Sequence, residues 1–197
     1  MTTRSGFTIQ APSRVATHRK EPGNPRRVPR TFPDVDPQAV TAAQHGDALA
    51  LDQLLSELTP YVRRLCTQIA PEVADDATQE ALLAVFRGLP SLQAPEAIIT
   101  WVRAITIRKA VRLARRADPQ AAAAQPPAEP RTPSLEGLVD IGDALGRLPL
   151  NQRVVLVLRA CEGLSEQQIA AALGISAGTV KSRLHRARAA FRKVWDS

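Results

Sequence analysis

The spacing of apolar residues predicts helices along most of the chain after residue 36. From Leu49 to Leu58 these residues recur at the three- and four-residue intervals of one buried helix face. The pattern resumes from Tyr61 to Ile69, and because Pro60 lies between the two segments we expect a helix boundary there. No segment shows the alternation typical of strands. The sequence therefore predicts an all-α fold.

Two further helices of the first half differ in the way charge is distributed along them. The first, over about residues 73–87, has an acidic start, and its pattern groups Phe86 with the apolar side. A loop over residues 88–95 follows. The second helix, from about 96 to 116, is apolar at first and basic toward its end. We expect it to be buried at one end and exposed at the other, with Trp101 in the core.

A helix-turn-helix pattern lies between Leu164 and Phe191. Ser165 followed by Gln168 is a capping box, and Gly174 supplies the backbone freedom of a tight turn. Ser176 caps a second helix, whose apolar residues form one stripe: Val180, Leu184, Ala187 and Phe191. The rest of that helix is basic, as in helices that enter the DNA major groove. The alternative is an ordinary amphipathic hairpin with a solvated basic face.

The charge of the whole chain points to a polyanionic partner. The net charge is +7 and the pI is about 10.4, which favours nucleic acid or an acidic membrane surface without choosing between them. No apolar run is long enough to span a bilayer, and the N-terminus lacks the apolar core of a secretory signal. We therefore expect a cytoplasmic chain with no membrane insertion.

Potential metal ligands and catalytic groups are few and scattered. Cys66 and Cys161 have no Cys or His neighbour at metal-ligand spacing, and the three histidines form no cluster. We expect neither a metal, a cofactor nor an enzyme active site. The two cysteines are expected to be buried free thiols, although a redox-sensing disulfide between the halves is an alternative.

Changes in composition divide the chain into four segments. Residues 1–36 are rich in proline and arginine and are expected to be disordered, either as a basic arm for DNA or as a solubilising tail. Residues 37–117 form the first helical domain. The Pro- and Ala-rich residues 118–137 are a predicted flexible linker. Residues 138–197 form the second domain, which contains the helix-turn-helix.

These elements together resemble the extracytoplasmic-function (ECF) group of bacterial sigma factors in the sigma-70 family. Region two of that family is similar to three segments here, AAQHGDALALDQLL, DDATQEALLAVFRGLPSL and TWVRAITIRKAVRLARR. Region four is similar to LGRLPLNQRVVLVLRACEGLSEQQIAAALGISAGTVKSRLHRARAAFR. The resemblance implies a factor that binds core RNA polymerase and directs it to promoters through -10 and -35 elements. An anti-sigma factor is a further implied partner.

The resemblance also implies roles for individual residues. Those at the family's polymerase contacts are Asp75, Asp76, Gln79, Glu80 and Phe86. Those implied to bind DNA from region two are Arg108, Lys109, Arg112, Arg115 and Arg116, and from region four Ser176, Thr179, Lys181, Ser182, Arg183 and Arg186. The family often has Asn where Arg108 stands and Asp where Arg112 stands. An alternative function is a free-standing helix-turn-helix regulator that does not bind polymerase.

Overall fold

A computed structural model describes residues 32–117 and 141–195, and within these ranges the fold consists of helices without strands. The all-α prediction is therefore confirmed. Residues 1–31 of the basic arm and the whole of the predicted linker lie outside the described residues. In chain order the helices are α1 (Pro37–Gln44), α2 (Ala48–Ile69), α3 (Ala74–Gly88), α4 (Ile98–Ala117), α5 (Ile141–Gly146), α6 (Leu150–Ala160), α7 (Glu166–Leu173) and α8 (Ala177–Trp195).

Helices α1, α3 and α4 pack around α2. Leu58, Val62 and Leu65 on α2 are fully buried, as their spacing predicts. The side of α3 that faces this core presents Ala77 and Ala81, whose small side chains let α3 lie close to both α2 and α4. Burial of these apolar side chains is the main stabilising contribution to this half of the molecule.

The helix α2 continues through Pro60, so the predicted boundary at this residue is wrong. A proline removes the hydrogen bond that its own N–H would have donated, here to the carbonyl of Ser56, and its ring crowds that carbonyl. Both residues are exposed, so water can satisfy that carbonyl. Burial of the apolar stripe on either side of Pro60 outweighs the local cost, and the helix ends at Ile69 instead, shortly before Pro71.

The remaining helices form the second domain. Helices α5 and α6 flank Pro149, and Leu148, Val154 and Val155 beside it are buried. Helix α6 then packs against α7 and α8, the two helices of the helix-turn-helix. Cys66 in α2 is buried, which raises its thiol pKa to about 11, whereas Cys161 after α6 is only half-buried.

The two domains are in direct contact, which the sequence pattern does not predict. Helices α2 and α4 of the first domain touch α5, α6 and α7 of the second. Two charged residues of the second domain, Arg153 and Glu162, are buried. Within the described residues, no helix is both long and apolar enough to cross a membrane.

Candidate functional surfaces

Local hydrogen bonds fix the helix-turn-helix as its sequence predicts. The backbone N–H of Ser165 donates to Gln168 Oε1 at 2.8 Å, and the N–H of Gln168 donates to Ser165 Oγ at 3.2 Å. This capping box begins α7, and Ile169 then anchors the helix in the core. Gly174 ends α7 with φ +65° and ψ 37°, a left-handed conformation that favours glycine. The chain thereby turns directly into α8.

The start of α8 presents hydroxyl groups that are already bonded within the helix. Ser176 Oγ accepts from the N–H of Thr179 at 3.1 Å and lies 2.9 Å from Thr179 Oγ1. Ser182 Oγ donates to the carbonyl of Thr179 at 3.0 Å. Ser176 therefore caps α8 as predicted. Residues 176–178 at the start of this basic helix are exposed, and a helix N-terminus of this kind suits a phosphate.

The two sides of α8 differ sharply in character. Its buried side consists of Val180, Leu184 and Ala187, in agreement with the predicted stripe. Phe191, at the end of that stripe, is only half-buried. On the other side Lys181 and Arg186 are exposed, and Arg183 is half-buried. Burial, followed by the nearby charges of Arg115 and Arg186, lowers the pKa of the Arg183 guanidinium.

Helix α4 changes from apolar to basic along its length, as predicted. Its first half packs in the core, where Val102 is fully buried. Trp101 is half-buried against Gly88, and a Cβ on Gly88 would lie only 3.0 Å from Trp101 Cζ2. This tryptophan is therefore part of the core. The exposed residues toward the end of the helix are Arg108, Arg112, Arg115 and Arg116, while Lys109 is half-buried.

Glu80 on α3 pairs with two of these basic residues. Lys109 Nζ donates to Glu80 Oε2 at 3.0 Å, and Arg112 donates to the same oxygen. The hydrogen bond from Lys109 contributes most to lowering the pKa of the Glu80 carboxyl. Glu80 therefore contacts the basic end of α4, and it follows Asp76, another predicted polymerase contact, by one helical turn.

The other predicted polymerase contacts share one exposed side of α3. At about 100° per residue, Asp75, Gln79 and Phe86 lie within roughly 40° of one another around the helix, and Asp76 is next to them. Phe86 is 48% exposed, so grouping it with the apolar side is wrong, because it lies half a turn from the buried Ala77. We call Asp75, Asp76, Gln79, Leu83 and Phe86 the α3 surface.

Leu83 was not among the residues predicted from the sequence. It is 51% exposed and follows Gln79 by one helical turn, on the side of α3 that bears Phe86. Two exposed apolar side chains beside carboxylates are typical of a protein-binding surface. Asp75 is 3.8 Å from Arg63, but both side chains are exposed, so this ion pair contributes little to stability. An apolar residue out of phase with the buried face is the signal that would have identified Leu83.

The predicted loop after α3 is more structured than expected. It contains two short 3-10 turns, Leu89–Ser91 and Pro95–Ala97. Gln44 lies at the end of α1, and its Nε2 donates hydrogen bonds to the carbonyls of Leu89 at 3.0 Å and Leu92 at 2.6 Å. These bonds tie the loop to α1.

The fold and its surfaces define the class: a helical protein with a helix-turn-helix, a second basic helix and a separate exposed face that is acidic and apolar. Family models for "Sigma-70 region 2" and "Sigma-70, region 4" match residues 51–120 and 138–191. The ECF RNA polymerase sigma factor SigM of Mycobacterium tuberculosis is 34% identical over 164 residues, covering 81% of this chain and 84% of that protein. The chain therefore belongs to the ECF group of sigma-70 factors.

Solved structures agree with this family. CnrH, in complex with the cytosolic domain of CnrY, is 25% identical with a TM-score of 0.54, covering 82% of this chain and 97% of that one. The sigma factor RpoE of Bartonella quintana, in complex with the anti-sigma factor NepR, has a TM-score of 0.53 at 22% identity, over 73% of this chain and 95% of that one. At 22% identity, the likeness to RpoE shows a shared fold and no more.

Proposed function

We propose that this sigma factor binds core RNA polymerase through the α3 surface and directs it to promoters through α4 and α8. The observation that supports this most is the separation of surfaces on one chain. One side of α3 is acidic and apolar, whereas the exposed ends of α4 and α8 are basic. An acidic surface with an exposed aromatic residue suits a basic, helical protein partner, and basic helices suit DNA.

For the upstream, -35 element we propose that α8 enters the major groove of duplex DNA. Arg183 and Arg186 are the candidates for guanine edges, because a guanidinium can bind O6 and N7 together. Lys181, Thr179 and Ser182 would contact phosphates or neighbouring edges, and Ser176 at the helix start would approach a phosphate.

For the downstream, -10 element we propose that the basic end of α4 binds the DNA backbone. The residues are those predicted from the sequence: Arg108, Lys109, Arg112, Arg115 and Arg116. We also assign Glu80 to this surface, as a positioning residue that orients Lys109 and Arg112. The family often has Asp at the position of Arg112. Here the carboxylate of Glu80 balances the charge of that arginine.

We further propose an anti-sigma protein as a regulatory partner. Membership of the ECF group supports this, as does the likeness to CnrH, which was solved bound to the cytosolic domain of CnrY. Chemistry would belong to the polymerase, so the chain itself would not be an enzyme. Because polymerase and promoter DNA are cytoplasmic, we expect the factor to act in the cytoplasm.

Co-purification with core polymerase tests the proposal against a free-standing regulator. We expect the tagged chain to retain core polymerase, and we expect Asp76→Lys combined with Phe86→Ala to lose most of it. Glu57→Lys combined with Leu49→Ala is the matched control, since it makes the same kinds of change at exposed residues of α2 outside the α3 surface and should retain polymerase. No retention by the unaltered chain would favour the free-standing regulator.

A further inference from the structure

Helix α8 carries a second surface on the side away from Arg183. Lys181, Arg188 and Trp195 recur at intervals of seven residues, so they form one row along the helix. At about 100° per residue, this row lies roughly 120–160° around the helix from Arg183. A helix that presents Arg183 to base edges therefore turns Arg188 and Trp195 away from them. The proposed base contacts leave this side of α8 unused.

The row ends in an aromatic pair. Phe191 stacks on Trp195 with the ring centroids 5.9 Å apart, and Trp195 is 48% exposed. Leu156 of α6 lies with Arg188, Phe191 and Arg192 along a groove beside the pair. Exposed aromatic groups flanked by guanidinium groups suit a partner that is both apolar and acidic. We call this surface the α8 flank, which consists of Leu156, Lys181, Arg188, Phe191, Arg192 and Trp195.

The α3 surface matches the α8 flank in composition and in order along the helix. The α3 surface runs from the carboxylate of Asp76 to the ring of Phe86, and the α8 flank runs from the ammonium group of Lys181 to the ring of Phe191. The two residues of each pair are ten positions apart, which is about 15 Å along either helix. Two such helices packed side by side in parallel would place carboxylate against ammonium and ring against ring.

Both surfaces are available in a single chain. Asp76, Phe86, Lys181 and Trp195 are all exposed in the structure, so a second molecule can reach each surface. The partner of stated chemistry that each surface needs is thus present on every other copy of the chain. Because the two surfaces differ, the contact is head-to-tail, and its repetition gives a closed pair or a longer chain of molecules.

We propose that this protein self-associates, with the α3 surface of one molecule packed against the α8 flank of a second copy. The association covers the surface that we assign to polymerase binding. The associated form would therefore be a reserve from which polymerase withdraws single molecules by competition. Only this consequence rests on the proposed function, because self-association needs neither polymerase nor DNA.

Sedimentation velocity on the full-length chain, without polymerase or DNA, tests the proposal. A contact of one helix pair is small, so we expect half-association on the order of 10–100 μM, weakening as salt is added. Asp76→Lys and Lys181→Glu should each raise this concentration by about tenfold or more, because each sets like charges against one another. Phe86→Ala and Trp195→Ala should each raise it by about tenfold.

Mixing the two charge variants gives the sharpest readout. In an equimolar mixture of Asp76→Lys and Lys181→Glu, the new lysine on α3 of one variant faces the new glutamate on α8 of the other. We expect the mixture to associate within about threefold of the unaltered chain, although each variant alone does not. Net charge cannot explain such a rescue, since the mean net charge of the mixture equals that of the unaltered chain.

Glu57→Lys is the matched control for Asp76→Lys. Glu57 is exposed on α2, outside both surfaces, so this variant makes the same change of charge and should associate like the unaltered chain. Circular dichroism on every variant excludes unfolding as the cause of lost association.

The proposal is overturned if the unaltered chain stays monomeric up to about 200 μM, or if the mixture of charge variants associates no better than either variant alone. An equal loss of association in Glu57→Lys would also overturn it. Polymerase retention is measured separately on dilute samples. A chain that associates without retaining polymerase contradicts the proposed function alone, and a monomeric chain that retains polymerase contradicts self-association alone.

Discussion

The two basic surfaces of the molecule are built in different ways. On α4, Lys109 and Arg112 share the carboxylate of Glu80. On α8, within the part of the chain that the structure describes, no carboxylate pairs with Lys181 or Arg186. Paired charges are oriented but partly neutralised, whereas unpaired ones keep their full attraction for phosphate. We therefore expect α8 to supply most of the DNA affinity and α4 to supply placement.

The largest expected effect comes from removing the guanidinium groups of α8. Combining Arg183→Ala with Arg186→Ala should weaken binding to promoter duplex by about 30-fold or more, since each bidentate contact contributes roughly 1–3 kcal/mol. Gel-shift titration measures the loss. Arg192→Ala, near the far end of α8, is a control that should weaken binding to the duplex only slightly and in a salt-dependent way. Equal loss in both variants would mean that Arg183 and Arg186 act only as general charge.

A second prediction separates polymerase binding from DNA binding. Phe86→Ala removes an exposed aromatic group and should weaken binding to core polymerase by about tenfold, or about 1.4 kcal/mol. Surface plasmon resonance with immobilised polymerase measures the affinity. Leu49→Ala is the control, since Leu49 is an exposed apolar residue on α2 outside the α3 surface. Similar losses of polymerase affinity for Phe86→Ala and Leu49→Ala would argue against the α3 surface as the polymerase-binding surface.

The placement of α8 depends on the turn before it. Gly174→Ala forces a side chain into the left-handed region, at a cost of about 1 kcal/mol, although no atom lies within 4 Å of the added Cβ. Urea unfolding should show this loss of stability as a lower midpoint. Gly146→Ala, also without a neighbour within 4 Å and in ordinary helical backbone, should not destabilise the chain. An unchanged midpoint for Gly174→Ala would mean that the turn adapts freely.

The smallest expected effect concerns the ion pairs of α4. Glu80→Gln leaves Lys109 and Arg112 less well oriented but fully charged, so DNA affinity should change by only about two- to threefold, with a steeper dependence on salt. Measurement of the dissociation constant over a salt series detects this. Glu96→Gln, an exposed carboxylate before α4, serves as the control. An unchanged salt slope would show that Glu80 has no influence on the basic end of α4.

The parts of this protein that could be predicted from sequence depend on local interactions. The capping box of Ser165, the turn at Gly174 and the stripe of α8 each involve residues within a few positions of one another, and all agree with the structure. The change of α4 from apolar to basic is likewise visible residue by residue.

The parts that were missed depend on packing between distant segments. The interior of α2 tolerates Pro60 because burial on both sides of it outweighs one lost hydrogen bond. Arg153 and Glu162 are charged residues within apolar segments, a pattern that signals burial but does not identify a partner 81 or 101 residues away. Glu80 belongs with α4 only because α3 and α4 are packed together. Tertiary contacts thus decided these roles.

Run-off transcription with core polymerase tests the central claim most directly. Genomic fragments, including the region upstream of this gene, serve as templates, and the unaltered chain is compared with the Arg183→Ala, Arg186→Ala double variant. We predict a specific transcript that needs the factor and is lost in the double variant, although that variant still binds polymerase. Transcripts that appear equally with the double variant, or without the factor, would contradict the account.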